Sequence, residues 1–271
     1  MLIEDNFDFI KSYKALGIKT NDKVLLCLSS LKILYLLKNK NFTKSVNFDQ
    51  LLGGVFQKAI NDLIQLIGKN GTILVPTYNW DFCKGKTYNF YRTPSSVGSL
   101  GNYVLNRKDF KRTRNPIYSF AVMGKDQHKI CKLSPKSCFG LNSPFEYLIK
   151  NKAKNLFVGF DDYREGFHFP YVAEEKAVVN YRYLKTFSAK YKIKNKTYNN
   201  FKTTMYVRKM NLNIKTKVDD SLKKILKKNK AYKEKLIKTV PFSLIDINKA
   251  FNIMVKDIKN KKKLIYPIKI K

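Results

Sequence analysis

A chain of 271 residues, 44% hydrophobic and 14% aromatic, has enough apolar side chains to bury a full core as one large domain or a domain with a lobe, so it is not a disordered tail. Its 54 Lys and Arg against 20 Asp and Glu leave a net charge of +34, which invites a nucleic-acid partner because such side chains replace condensed counterions on phosphate. Arginine, the better phosphate clamp, occurs only at positions 92, 107, 112, 114, 164, 182 and 208, so most of the charge reads as a solvated lysine surface.

The arginines at 92, 107, 112 and 114 form a sharper phosphate-site candidate than the net charge does. Cys27, Cys83, Cys131 and Cys138 make no C-x-x-C pair, and only His128 and His168 are available beside them, so no metal is expected. Reduced thiols in a cytoplasmic protein are the plainer reading. The first residues are acidic and then amphipathic, unlike a secretory signal. No apolar run approaches the ~20 residues of a membrane span.

In chain order, Phe7, Ile10, Tyr13 and Leu16 recur every three residues and predict an amphipathic helix that stops at Gly17. Asp22 to Leu28 reads as a buried strand whose carboxyl end carries Ser29 and Ser30, placed to bind a ligand or to cap the next helix. Asn39 to Lys44 reads as a surface loop. Phe48 to Ile67 is the longest helical pattern, and Thr72 to Pro76 a second buried strand. This alternation predicts a parallel, layered α/β sheet.

Past Pro76 the chain turns aromatic and polar. It holds the only tryptophan, Trp80, beside Asp81, a pair suited to stacking on and holding a sugar, although anchoring a loop is the plainer reading of Trp80. Thr93-Pro-Ser-Ser-Val-Gly98, ahead of a helix near Gly101, offers backbone N–H groups to an anion but matches neither nucleotide-binding glycine pattern. Lys111 to Pro116 leads into a strand over Ile117 to Met123. Ser143 and Pro144 read as N-cap and first residue of a helix.

The chemistry-bearing stretch is Val158 to Glu175. An apolar strand, Asn155 to Gly159, passes through a polar loop, Asp161 to Glu165, into a helix expected from Pro170. His168 then stands at the helix mouth, with Tyr171 and Glu174 three apart on one helical face. Aromatic strands follow at Tyr181 to Phe187 and Thr203 to Val207, and the lysine-rich remainder from about Asp219 reads as a peripheral lobe.

Six stretches in series resemble the aminoglycoside 3-N-acetyltransferase family, in the form found among surface-polysaccharide gene products. They are Asp22 to Leu31, Gly71 to Thr77, Thr93 to Gly98, Arg112 to Phe120, Phe139 to Phe145, and Tyr171-Val-Ala-Glu174-Glu with Tyr181-Arg-Tyr. The resemblance covers about the first 190 residues and implies a three-layer α/β/α sandwich, with residues 1–190 as the core and 191–271 expected as a lysine-rich α+β extension packed on it, in the same domain or as a small lobe. It implies acetyl-coenzyme A as donor and puts Ser29, Ser30, Thr93, Ser95, Ser96, Val97, Arg112 and Ser119 on coenzyme-binding stretches. The chain departs from the family at its histidines: Leu28 precedes the two serines, Asn115-Pro116 stands for His-Pro, and the family's His-x-x-Glu is Tyr171-Val-Ala-Glu174, with His168 one turn earlier.

Making an amide from a thioester requires an unprotonated amine, a base for its proton and donors for the developing oxyanion. His168, Glu174 and Tyr171 are the candidates. The imidazole near a helix N-terminus is biased toward its neutral, basic form. Glu174 would orient it, or take the ammonium proton through water. Tyr171 would donate to the thiolate or the oxyanion. The acceptor implied is an amino sugar, nucleotide-linked for surface glycans, since +34 attracts a nucleoside diphosphate and repels a polycationic aminoglycoside, the alternative. A homodimer is compatible with this reading, membrane and nucleic acid are not its partners, and a non-catalytic nucleic-acid-binding protein is the competing class.

Overall fold

The computed structural model describes residues 7–30, 32 and 48–270. The loop expected at Asn39 to Lys44 lies outside the described residues. In chain order, α1 (Phe9–Leu16), β1 (Lys23–Leu28), α2 (Phe48–Ile67) and β2 (Thr72–Pro76) follow the expected alternation. Next come β3 (Tyr88–Asn89), α3 (Ser99–Leu105), β4 (Lys111–Arg112), β5 (Phe120–Gly124), α4 (Gln127–Cys131) and α5 (Pro144–Lys150). β6 (Lys154–Val158) and α6 (Phe169–Ala177) frame the stretch that carries the chemistry, and β7 (Arg182–Ile193) with β8 (Lys196–Arg208) forms a long hairpin after it. The chain closes with β9 (Ile214–Val218), α7 (Ser221–Lys228), β10 (Tyr232–Ile237), β11 (Val240–Asp246), α8 (Ile247–Lys259) and β12 (Ile265–Lys269).

A seven-stranded sheet in the order β10-β11-β6-β1-β2-β5-β4 is the middle layer. Only β6, β1 and β2 are parallel; β11 pairs antiparallel with β6, and β5 antiparallel with β2. The sheet is therefore mixed, where the alternation of elements predicted a parallel one. The difference arises at both edges, where antiparallel pairs, β4 with β5 and β10 with β11, replace crossover units. Both faces of the central strands are buried, which is why they read as unbroken apolar runs. On β1, Val24, Leu26 and Leu28 face one layer and Leu25 and Cys27 the other.

The first layer is α1, α2 and α3. α1 is capped by the Asp8 side chain, which accepts from the Lys11 N–H, and ends at Gly17 in the left-handed region, as its pattern predicted. Leu52, Val55, Phe56, Ala59, Ile60 and Leu63 of α2 bury the helical stripe against β1 and β2. On the opposite face α5, α6 and α8 pack Phe145, Phe169, Val172 and Met254 over Leu25, Leu74 and Phe157. Ser143 caps α5 through the Glu146 N–H, with Pro144 in its first turn.

The C-terminal residues are more deeply integrated than a peripheral lobe. β10 and β11 complete one edge of the central sheet, and a boundary at residue 190 runs through the middle of β7. Lysine-rich composition hid this because the exposed side chains of an edge strand such as β10 (Lys233, Glu234 and Lys235) carry no apolar signal.

Candidate active site

Two clefts open at the carboxyl ends of β1, β2 and β6. The first, about 340 Å³, runs between the end of β1 and the 97–101 turn. Ser29 and Ser30 stand at its mouth, Leu26, Leu28 and Val75 line it, and Val97, Gly98 and Gly101 make the facing wall. That wall comes close because residue 101 has no side chain: a Cβ there would lie 2.6 Å from Ser95 Oγ and 2.8 Å from the Pro76 carbonyl. A narrow, mostly uncharged channel with hydroxyls at its entrance fits the pantetheine arm of a coenzyme A thioester.

The second cleft, about 680 Å³, lies between the Trp80, Tyr118, Phe139 and Tyr171 rings and the inner end of the β7–β8 hairpin. His168 borders both clefts, and no other described residue does. It occupies the N-cap position of α6, which begins one residue earlier than expected, at Phe169. The rings of Tyr78, Tyr118 and Tyr171 surround the imidazole at centroid distances of 5.0, 5.8 and 6.1 Å. Its Nδ1 is 3.2 Å from the Gly166 carbonyl. A carbonyl only accepts, so Nδ1 carries the hydrogen and Nε2 keeps its lone pair. Burial pushes the His168 pKa below its ordinary 6.5, which the Gly166 contact opposes.

Glu174 is elsewhere. Its side chain is 0% exposed, and Oε2 lies 2.7 Å from Arg182 Nε. Oε1 accepts from the hydroxyls of Tyr181 and Thr216, each at 2.8 Å. Burial holds this carboxyl above the usual carboxylate range, against the pull of Arg182 and the two hydroxyls. It faces the ion pair, not a cleft, which corrects the expectation of a base or an imidazole-orienting group in contact with substrate. The i, i+3 spacing does put Tyr171 and Glu174 near one another, and Arg182 joins them: its guanidinium stacks 5.0 Å from the Tyr171 ring centre.

Arg112 is likewise internal. It is 6% exposed and donates from Nε to Ser119 Oγ, from Nη1 to the Thr93 carbonyl and from Nη2 to the Thr77 carbonyl. Ser119, fully buried, donates to the Thr77 carbonyl. Both residues brace the 93–98 turn from behind and border neither cleft, so the expected arginine clamp on phosphate is a strut. The turn has also committed its own donors: the N–H groups of Ser95, Ser96 and Val97 go to Asn102 Oδ1, the Tyr78 carbonyl and Ser95 Oγ. Thr93 Oγ1 accepts from the Asn89 N–H, and Ser96 Oγ from Asn79. Of the expected coenzyme residues, Ser29, Ser30 and Val97 line the first cleft.

Trp80 lines the second cleft, whereas Asp81 holds its own turn through Lys84 and Lys86. Tyr78 and Tyr118, which wall His168, and Arg208 and Lys215 on the hairpin side of the second cleft are not expected from sequence. Tyr118 lies within the stretch Arg112 to Phe120, but nothing local marks it as facing a histidine fifty residues on. Among the described residues no group of three or more His, Cys, Asp or Glu is placed to hold a metal, and no helix is long and apolar enough to cross a membrane.

A family model described as aminoglycoside 3-N-acetyltransferase matches residues 45–259. Among curated proteins none matches the sequence. Solved structures share the fold at low identity. The YokD protein from Bacillus subtilis is 20% identical, with 94% of this chain and 93% of that one covered at a TM-score of 0.71. The aminoglycoside acetyltransferase AAC(3)-IIb is 13% identical over 93% and 96% of the two chains, at 0.72. AAC-IIIb, solved as a binary complex with CoASH, is 14% identical over 93% and 95%, at 0.70.

Proposed function

The chain belongs to the aminoglycoside 3-N-acetyltransferase family, acetyl-coenzyme A-dependent enzymes that acetylate amino groups, and from that membership we propose that His168 is the base of its reaction. One observation carries the proposal: His168 is the described residue that borders both clefts, its Nδ1 is turned to the Gly166 carbonyl, and burial pushes its pKa below the ordinary value. It stands one helical turn before Tyr171, the position of the family histidine, and a base displaced by a turn can serve if the acceptor is displaced with it.

The first cleft takes the coenzyme arm, with Ser29, Ser30 and Val97 along it. Acetyl-coenzyme A supplies the thioester carbonyl. At Nε2, His168 takes the proton that the acceptor nitrogen sheds as its bond to the acyl carbon forms, and holds it for the sulfur released as the C–S bond breaks. Tyr171, on the second cleft beside His168, donates to the oxygen on which charge develops. Trp80 gives the acceptor sugar a stacking face. Glu174 and Arg182 act at one remove, fixing Tyr171 and the root of the hairpin.

The acceptor in this proposal is an amino sugar, and within that class a nucleotide-linked one for surface-glycan synthesis, since a protein of net charge +34 attracts a nucleoside diphosphate. An aminoglycoside is the second reading, favoured by a relative of the same fold solved with sisomicin. A cytoplasmic location accompanies the proposal, in keeping with four free cysteines. The test is thiol release from acetyl-coenzyme A against amino sugars, free and nucleotide-linked, and sisomicin. Amine-dependent release that Glu174→Gln retains and His168→Gln loses supports the proposal. Release that survives His168→Gln removes the histidine from it.

A further inference from the structure

The second cleft is charged with one sign. Arg182, Lys185, Arg208 and Lys215 line it, and no Asp or Glu does. Arg182 is already matched, its guanidinium held by Glu174. Lys185, Arg208 and Lys215 have no carboxylate partner among the described residues. An aminoglycoside brings several ammonium groups of its own and would find nothing here to receive them.

The position of Arg208 sharpens the point. In the β7–β8 ladder it pairs directly with Arg182, so two guanidinium side chains leave neighbouring strands on the same face. Like charges opposite one another cost stability. Glu174 offsets one of the two, and the other is left to face the cleft. Arg208 is also oriented, donating from Nη1 to the Ile214 carbonyl at the start of β9. Among the described residues Arg208 is held through that one nitrogen, and a guanidinium so held is suited to bidentate contact with a phosphate.

We infer that Arg208, with Lys215, is a phosphate-reading subsite of the acceptor cleft, and that the acceptor is an amino sugar bearing a phosphate or diphosphate. This rests on the reading of the second cleft as the acceptor's. The amine sits at His168, the sugar lies against Trp80 and Tyr171, and the phosphate reaches the hairpin side, where it relieves the Arg182–Arg208 repulsion. Coenzyme A carries phosphates too, so the subsite is tested with the donor cleft filled.

The experiment uses the full chain with saturating coenzyme A and measures the thermal shift given by uridine diphosphate, alongside thiol release from acetyl-coenzyme A with a uridine-diphosphate-linked amino sugar, the same sugar free, and sisomicin. Uridine diphosphate is expected to raise Tm of the wild type and to lose most of that shift in Arg208→Gln and in Lys215→Ala. The linked sugar is expected to exceed the free one in kcat/KM by tenfold or more, a preference that shrinks at least fivefold in either variant and falls with added salt. No shift with coenzyme A saturating, or a preference for sisomicin, overturns the subsite while thiol release stands. A nucleotide shift that depends on Arg208, with no thiol release from any amine, supports the subsite and removes the acetyl-transfer reading instead.

Discussion

Glu174 and Arg182 meet 2.7 Å apart in the interior, the carboxylate on α6 and the guanidinium at the first residue of β7. The pair ties the helix that follows His168 to the hairpin that walls the acceptor cleft. Arg182 also donates to Thr216 of β9, so three elements are fixed through one guanidinium. Replacing Glu174 by Gln leaves Arg182 buried without a counter-charge, which costs about 3–5 kcal/mol. The expected result is a fall in Tm of roughly 6–12 °C, with kcat of the folded fraction within tenfold of wild type. An unchanged Tm with kcat down a hundredfold would make Glu174 the proton acceptor.

For His168 the expectation is the reverse. His168→Gln removes the lone pair and keeps a polar side chain of similar reach, so the protein stays folded while kcat falls by roughly 10²- to 10⁴-fold. The wild-type acid limb of kcat should lie below pH 6.5, because burial lowers the imidazole pKa and the neutral form persists further into acid. That limb should be missing from the residual rate of the variant. Stability follows the same sign: the unfolded chain takes up this proton first, so the histidine's contribution is complete above pH 6.5 and lost as pH falls below it.

Arg112→Lys should behave as a structural change. A single ammonium cannot replace three donors aimed at Ser119, Thr93 and Thr77, and the acceptors left over are buried. A loss of about 2–4 kcal/mol in urea unfolding is expected. The Michaelis constants for coenzyme and amine should shift by less than threefold relative to each other. A selective rise for the coenzyme would return Arg112 to direct phosphate contact.

Gly101→Ala tests the narrow cleft. The new methyl would press on Ser95 Oγ and on the Pro76 carbonyl, and backbone cannot turn aside as a side-chain tip can. Overpacking of this kind costs about 1–3 kcal/mol. Since the same displacement moves the wall formed by Val97 and Gly98, KM for acetyl-coenzyme A should rise several-fold more than KM for the amine. Equal changes in both constants would detach that wall from coenzyme binding.

The sequence alone determined the parts of this protein that depend on neighbours along the chain. Apolar runs at 23–28 and 72–76, helical spacing at 48–67, the Ser143-Pro144 start of α5 and the stop at Gly17 are local matters of period, cap and backbone freedom, and each appears where its pattern put it. His168 was legible as a histidine at a helix mouth for the same reason. Tertiary structure alone decided what each polar side chain meets. Spacing could bring Glu174 near Tyr171, but only the arrival of Arg182 and Thr216 from β7 and β9 made it a buried ion pair. Only the packing of the Thr77 and Thr93 carbonyls and the Ser119 hydroxyl around one guanidinium made Arg112 a strut. Charge carries no direction in sequence, because whether a cation binds a ligand or a neighbour depends on which elements fold against it, and that is a matter of tertiary packing even where the partner is near in sequence.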